Sequence, residues 1–148
     1  MPGIDECLLE AMLVPGARGA SIVDWISGLA LGTVGEAAGP DHETTAAETA
    51  EVARMATEYT AVVAQEPSML GGDGGRDLDG GGTKPLKDDG LVVEDLIVTT
   101  RTCYHLVRFV DTTVDSSVFL HLWLDRDLGN LALARIRLQH LAEGLVLG

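Results

Sequence analysis

A cysteine and two histidines are the residues in this sequence best suited to bind a metal ion. Cys103 and His105 are two positions apart, and His121 follows in the next apolar segment. Alternation along a strand places Cys103 and His105 on one face, and cysteine with histidine is a zinc-binding combination. The pattern supplies no third ligand in register, and histidines in a half-buried sheet more often form hydrogen bonds. We therefore expect no metal site, and we expect the two histidines to lie on neighbouring strands, each simply hydrogen-bonded.

A glycine-rich segment, residues 68–90, invites comparison with phosphate-binding loops. A P-loop needs Gly-x-x-x-x-Gly-Lys-Ser/Thr between a strand and a helix, whereas here Lys84 stands between Thr83 and Pro85. The segment also runs from a predicted helix into a predicted strand, which is the reverse order. Its aspartates fit neither an EF-hand nor a repeated calcium-binding nonapeptide. We expect no bound cofactor, and we interpret residues 68–90 as a flexible acidic loop.

Serine and carboxylate chemistry has equally little support. The sequence contains no Gly-x-Ser-x-Gly motif, and its paired carboxylates, such as Asp88-Asp89, occur in solvated segments. Catalysis of this kind needs a nucleophile, a base and an oxyanion donor within reach of one another, and no set of residues combines the three. The sequence predicts a protein without enzymatic activity, and a small hydrolase with an unrecognised site stays open as an alternative.

Length and charge limit the remaining classes of function. The 148 residues are 46% hydrophobic, enough for a single domain spanning 1–148 with one core. No apolar run approaches the roughly 18 residues of a membrane span. The first residues, MPGIDE, lack a basic region followed by an apolar stretch, so we expect a cytoplasmic protein. The net charge of −13 repels nucleic acid and anionic lipid. We therefore expect that the protein binds no nucleic acid and does not insert into a membrane.

Hydrophobic periodicity predicts eight elements that position these residues. In chain order they are helix 4–13, strands 17–24 and 29–35, helix 41–65, strands 91–99, 103–110 and 118–124, and helix 130–147, capped near Asp127. Short connections favour antiparallel pairing. The predicted fold class is therefore α/β of the α+β type, a five-stranded, mainly antiparallel sheet between helices.

The predicted helix 41–65 has one face of small residues. That face contains Ala46, Ala50, Ala53, Ala56 and Thr60. Small side chains let another backbone approach closely, so the pattern fits a helix packed either on the chain's own sheet or on a twin helix.

Two large apolar residues, Trp25 and Ile26, stand in the turn of the first hairpin. Strand alternation places Ile22 and Asp24 on one face and Val23 with Trp25 on the other. Trp25 either folds back over the end of the first helix and completes the core, or it forms an exposed anchor for a partner together with Ile26. We take Trp25 and Ile26 as the candidate partner contact.

Several segments resemble the roadblock/dynein light-chain family. CLLEAMLVPGARGASIVDWISGLALGTVG resembles its opening, with a short helix that ends in Val-Pro-Gly at 14–16, a strand that runs to Asp24, and a turn glycine, Gly28. EDLIVTTRTCYHLVRFV is similar to the third and fourth strands, and LWLDRDLGNLALARIRLQHL to the last strand and final helix. The resemblance covers residues 4–65 and 91–147.

This resemblance implies a homodimer, joined edge to edge through the third strand with the long helices side by side. The positions that fit such an interface, and that we take as candidate dimer contacts, are Val92, Leu96, Val98, Ala46, Ala50 and Ala53. Because bacterial roadblock proteins commonly serve Ras-like small GTPases, the resemblance implies a non-catalytic regulator or scaffold of such a GTPase. The alternative is a small-molecule-sensing domain of the profilin-like sheet-and-helix type.

Overall fold

The computed structural model describes residues 3–58, 93–110 and 117–145. Its elements are α1 (Ile4–Ala11), β1 (Ala17–Asp24), β2 (Leu29–Gly35), α2 (His42–Glu58), β3 (Asp95–Thr99), β4 (Cys103–Val110), β5 (Val118–Asp125) and α3 (Leu131–Gly144). All eight predicted elements are present in the predicted order. The interpreted loop 68–90, Val92 and the end of the predicted second helix lie outside the described residues. Among the helices described, none is both long and apolar enough to cross a membrane.

The five strands form one antiparallel sheet in the order β2-β1-β5-β4-β3. One row of cross-strand partners runs through all five strands and consists of Gly35, Gly19, Trp123, His105 and Val98. Among the strands of the described ranges, β2 and β3 are the two edges of the sheet. The fold class predicted from the sequence is confirmed.

The hairpin between β1 and β2 has the predicted bounds. Gly28 has a φ of 79°, a left-handed conformation that glycine adopts without a Cβ clash. The Gly28 N–H donates to the Asp24 carbonyl at 2.8 Å, and the Ile26 N–H donates to Asp24 Oδ1 at 3.0 Å. Asp24 therefore fixes the turn that presents Trp25 and Ile26.

Helix α3 begins at Leu131, one residue after the predicted start, and has a different cap from the predicted one. The Asn130 side chain accepts the Leu133 N–H at 3.0 Å, which is the usual N-cap contact. Asp125 Oδ1 accepts the N–H groups of Asp127 and Leu128 in the preceding turn. The expectation of a cap near Asp127 is therefore wrong, because that residue belongs to a turn organised by Asp125.

Strand alternation divides the apolar residues between two cores. The larger core lies between the sheet and helices α1 and α3, and its fully buried members include Leu8, Ile22, Leu120, Leu122 and Leu138. The smaller core lies between the sheet and α2, and contains Val23, Ala46, Ala50, Ala53, Val107, Phe109 and Phe119. As alternation predicts, Ile22 faces the first core and its neighbour Val23 the second.

The alanines of α2 pack on the chain's own sheet. Ala46, Ala50 and Ala53 are at most 2% exposed and contact the aromatic rings and valines of the smaller core. The helix begins at an Asp41 cap, whose Oδ1 accepts the Thr44 N–H at 2.7 Å. Of the two arrangements that a small-residue face allows, packing on the sheet is observed in the single chain.

Candidate functional site

Two histidines lie in contact on the α2 side of the sheet. His105 Nδ1 is 3.1 Å from His121 Nε2, and the rings stack with centroids 5.3 Å apart and planes 13° apart. His121 pairs across the strands with Val107, two residues from His105, so the two imidazoles are diagonal neighbours. One ring donates the hydrogen bond and the other accepts it. The prediction that the two histidines lie on neighbouring strands is confirmed.

Burial lowers the pKa of both imidazoles, because a charged ring would lose its hydration. His121 is 3% exposed, and burial, assisted by the adjacent His105, lowers its pKa from 6.5 to about 3. Burial also lowers the pKa of His105, which is only half-buried. Both rings are therefore neutral at pH 7.

Further planar side chains extend this pair across the sheet. His105 stacks on Trp123 with centroids 6.0 Å apart, and the Arg18 guanidinium lies over the Trp123 ring, 4.9 Å from its centroid. The Trp123 indole donates to the Glu36 carbonyl at 2.8 Å. Trp123 can lie flat here because its strand partner is Gly19, where any Cβ would meet the indole nitrogen at 2.7 Å.

Cys103 lies at the end of this cluster, beside His105. Its Sγ lies 3.5 Å from His105 Nε2 and 3.2 Å from Thr100 Oγ1. Within the described ranges, no group of three or more His, Cys, Asp or Glu side chains could hold a metal ion. The second free cysteine, Cys7, is fully buried, and burial raises the pKa of its thiol to about 11.

A groove of about 260 Å³ opens beside the histidine pair, between α2 and the sheet edge at β3. Its walls are mainly apolar, with Val52 on α2 and Leu96 and Val98 on β3. His105 and His121 also line it. The sequence placed Leu96 and Val98 at a functional surface but did not predict that the histidines would share it.

The two residues of the candidate partner contact, Trp25 and Ile26, lie in different environments. Ile26 is 69% exposed, whereas Trp25 is half-buried and packs on the smaller core, with its ring edge-on to Phe109 at 6.5 Å. The Trp25 carbonyl accepts from Arg54 of α2 at 2.8 Å, and its buried indole Nε1 has no hydrogen-bond partner among the described residues. Trp25 therefore leans on the α2 side of the sheet, and not over the end of α1.

The candidate dimer contacts are likewise distributed over different environments. Leu96 is half-buried, Val98 is 42% exposed, and both lie on the edge strand β3. The three alanines lie on the face of α2 that is buried against the sheet. The surface that this helix offers to another molecule therefore includes Val52 and Met55, which are 41% and 46% exposed. The exposed apolar surface of α2 could have been predicted from the sequence, since Val52 and Met55 lie beside the small-residue face of the helix.

Neither protein-family models nor curated proteins match the sequence, but solved structures match the fold. MglB from Myxococcus xanthus superposes with a TM-score of 0.66 at 14% identity, over 95% of this chain and 89% of that one. A Roadblock/LC7 domain from Streptomyces avermitilis gives 0.62 at 16% identity, over 96% and 93%. The gliding protein MglB from Thermus thermophilus gives 0.62 at 17% identity, over 95% and 83%.

At these identities the similarity shows a shared fold. The order of helices and strands, the antiparallel sheet and the coverage of nearly the whole chain agree with that fold. The chain is therefore a roadblock-type domain in its fold.

Proposed function

We propose that this chain is a cytoplasmic, non-catalytic homodimer that regulates or scaffolds a Ras-like small GTPase. The observation that carries the proposal is that β3 is an edge of the sheet formed by the described strands, in a fold shared with roadblock and MglB structures. An unpaired edge strand presents N–H and C=O groups that another strand can pair with.

The side chains of β3 support pairing with a second copy. Ile97 and Val98 point to opposite faces and are 36% and 42% exposed. Apolar side chains on both faces are typical of a strand in the interior of a sheet. Pairing with β3 of a second copy would give β3 that position. Asp95, at the start of β3, accepts Arg135 Nε of α3 at 2.6 Å, which ties the edge strand to the body of the domain.

The outer face of α2 supports the same interface. Val52 lines the groove next to Leu96 and Val98, and Met55 lies exposed one turn further along the helix. A two-fold symmetric dimer uses the same patch on both copies. We place β3 and the Val52–Met55 side of α2 in that patch. Ala46, Ala50 and Ala53 contribute indirectly, because their small side chains hold α2 close to the sheet.

The β1–β2 hairpin is the proposed contact with the GTPase. Ile26 is exposed next to Leu29 and Leu31, which are 64% and 47% exposed. These apolar side chains belong to a chain of net charge −13, so a partner with an apolar pocket and a basic rim fits best. Trp25 contributes from its half-buried position behind Ile26.

The test of the homodimer is a charge placed on the sheet edge. Val98→Lys puts two like charges at a two-fold interface and blocks strand pairing, so the solution mass from light scattering falls from dimer to monomer. Leu31→Lys makes the same change on the opposite edge, β2, and leaves the dimer intact. A wild-type chain that stays monomeric at high micromolar concentration contradicts the proposal.

The test of the GTPase role is binding to purified Ras-like GTPases from the same organism, each loaded with GDP or a GTP analogue. We expect one of them to bind with a preference for one nucleotide state, and Ile26→Ser to weaken binding at least tenfold. We expect the chain alone to hydrolyse no GTP. Absence of binding to every such GTPase in both nucleotide states rejects this role.

The groove beside β3 favours a second candidate function, small-molecule sensing. Apolar walls with a few polar groups at the base are typical of ligand sites, and the volume of about 260 Å³ admits a small ligand. Native mass spectrometry of the gently purified chain tests this. A mass per chain above that of the sequence, lost on Val52→Trp filling of the groove, supports the sensor, whereas a mass per chain equal to that of the sequence counts against it.

A further inference from the structure

The histidine pair lies directly behind the edge that we propose for assembly. Val98 of β3 is the cross-strand partner of His105, and both line the groove with His121. A second copy seated on β3 and on the outer face of α2 would cover that groove. It would therefore remove water from His105, which the single chain leaves half-buried.

The pair tolerates added protons poorly. In the neutral pair one ring donates to the other across 3.1 Å. A single added proton leaves that hydrogen bond in place, but puts a positive charge beside apolar walls. A second proton places two cations in contact and removes the acceptor, so the hydrogen bond is lost.

The surroundings do little to compensate such a charge. The titratable and charged groups on the described elements that face the pair are Glu48 and His42 on α2, Cys103 on β4, Asp125 on β5, Arg18 on β1 and Glu36 after β2.

Of these groups, Glu48 is the acid at the groove, and it is exposed at the rim. Asp125 accepts backbone N–H groups of the following turn. Glu36 pairs with Arg18 at 2.8 Å. A proton taken up by His105 therefore remains largely unpaired once the groove is closed.

We propose that the His105–His121 pair makes homodimer assembly through β3 depend on pH, so that the dimer forms at neutral pH and dissociates in mildly acidic solution. This inference rests on the proposed homodimer. Two separated chains can each hold a proton on His105 that the dimer must release. Dimer affinity then falls by up to about 100-fold per pH unit below the pKa of His105 in the monomer.

The experiment is sedimentation equilibrium of the full chain at about pH 7.5, 6.25 and 5.0, a range that extends well below the pKa of about 6.5 of an unperturbed histidine because burial lowers the pKa of His105. We expect the wild-type Kd to rise at least tenfold between the first and last pH. His105→Phe keeps a ring against Trp123 but cannot titrate, and its Kd should change less than threefold. His140→Gln, at an exposed position of α3, is the matched control and should behave as wild type.

Histidine-labelled NMR provides a second measurement if His105→Phe does not fold. The pKa of His105 should be lower in concentrated, dimeric protein than in dilute, monomeric protein, and an equal pKa overturns the inference. A wild-type Kd that is independent of pH also overturns the inference, and so does an equal pH dependence of Kd in wild type and His105→Phe. Neither result contradicts the homodimer itself. A chain that is monomeric at pH 7.5 instead rejects the homodimer, and this inference with it.

Discussion

At the residue scale, His121 is 3% exposed and neutral in the folded chain, whereas in the unfolded chain it titrates near pH 6.5. Below that pH the unfolded chain binds a proton that the folded chain does not. The stability that the neutral ring contributes is complete above about pH 6.5. It is lost as the pH falls towards about 3, by up to about 1.4 kcal/mol per pH unit.

Urea unfolding at about pH 7 and pH 5 measures this effect. His121→Gln can still hydrogen-bond to His105 but does not titrate, so its free energy of unfolding should depend less on pH than that of wild type. Equal pH dependence of the two proteins would mean that His121 is solvated or already protonated in the folded chain.

Trp25 and Ile26 are adjacent in the sequence, yet we expect their substitutions to have different costs. Trp25→Ala removes the contact with Phe109 and part of the smaller core, which should lower the free energy of unfolding by about 2 kcal/mol. Ile26→Ser, at a position 69% exposed, should change it by less than about 0.5 kcal/mol. Chemical denaturation checks both values. Similar losses for the two variants would contradict the environments described here.

At the scale of elements, the close approach of α2 to the sheet is the feature most open to test. Ala50 is 1% exposed between the helix and the sheet. Ala50→Leu adds volume at a buried position of the smaller core, so we expect a loss of about 1–3 kcal/mol in the free energy of unfolding.

The matched control for this change is Ala47→Leu, on the exposed face of the same helix. Both substitutions replace alanine by leucine in a helix, so their helix propensities change alike. Thermal denaturation should separate them by several degrees. A similar loss for both would mean that α2 does not pack on the sheet through Ala50.

At the scale of the whole molecule, the net charge of −13 acts on assembly. Two copies repel each other, and salt screens that repulsion. Raising the ionic strength from about 0.02 to about 0.15 M should therefore tighten the homodimer several-fold, measured by sedimentation. Binding to a basic GTPase surface should weaken over the same range. If salt weakens the homodimer, specific ion pairs across the interface outweigh the net charge.

Much of the fold was predictable because the hydrophobic periodicity of a helix or a strand depends only on residues that are close together in the sequence. Alternation in β1 assigned Ile22 and Val23 to opposite faces, and Gly28 located the hairpin turn, since both signals lie within a few residues. The bounds of β1, β2 and β4 were predicted to the residue. The cap of α3 was missed because Asp127 and Asn130 are both good capping residues, and only the path of the preceding turn selects Asn130.

The candidate site depended more on tertiary structure. The sequence by itself determined that Cys103 and His105 share a strand face, and that α2 carries a face of small residues. Only the register of β4 against β5 decided that His121 lies diagonal to His105 at hydrogen-bonding distance. Only the strand order decided that β3 is an edge and that the alanines meet this chain's own sheet. The physical reason is that a local pattern specifies which side of an element is apolar, whereas pairing between distant strands specifies what that side meets.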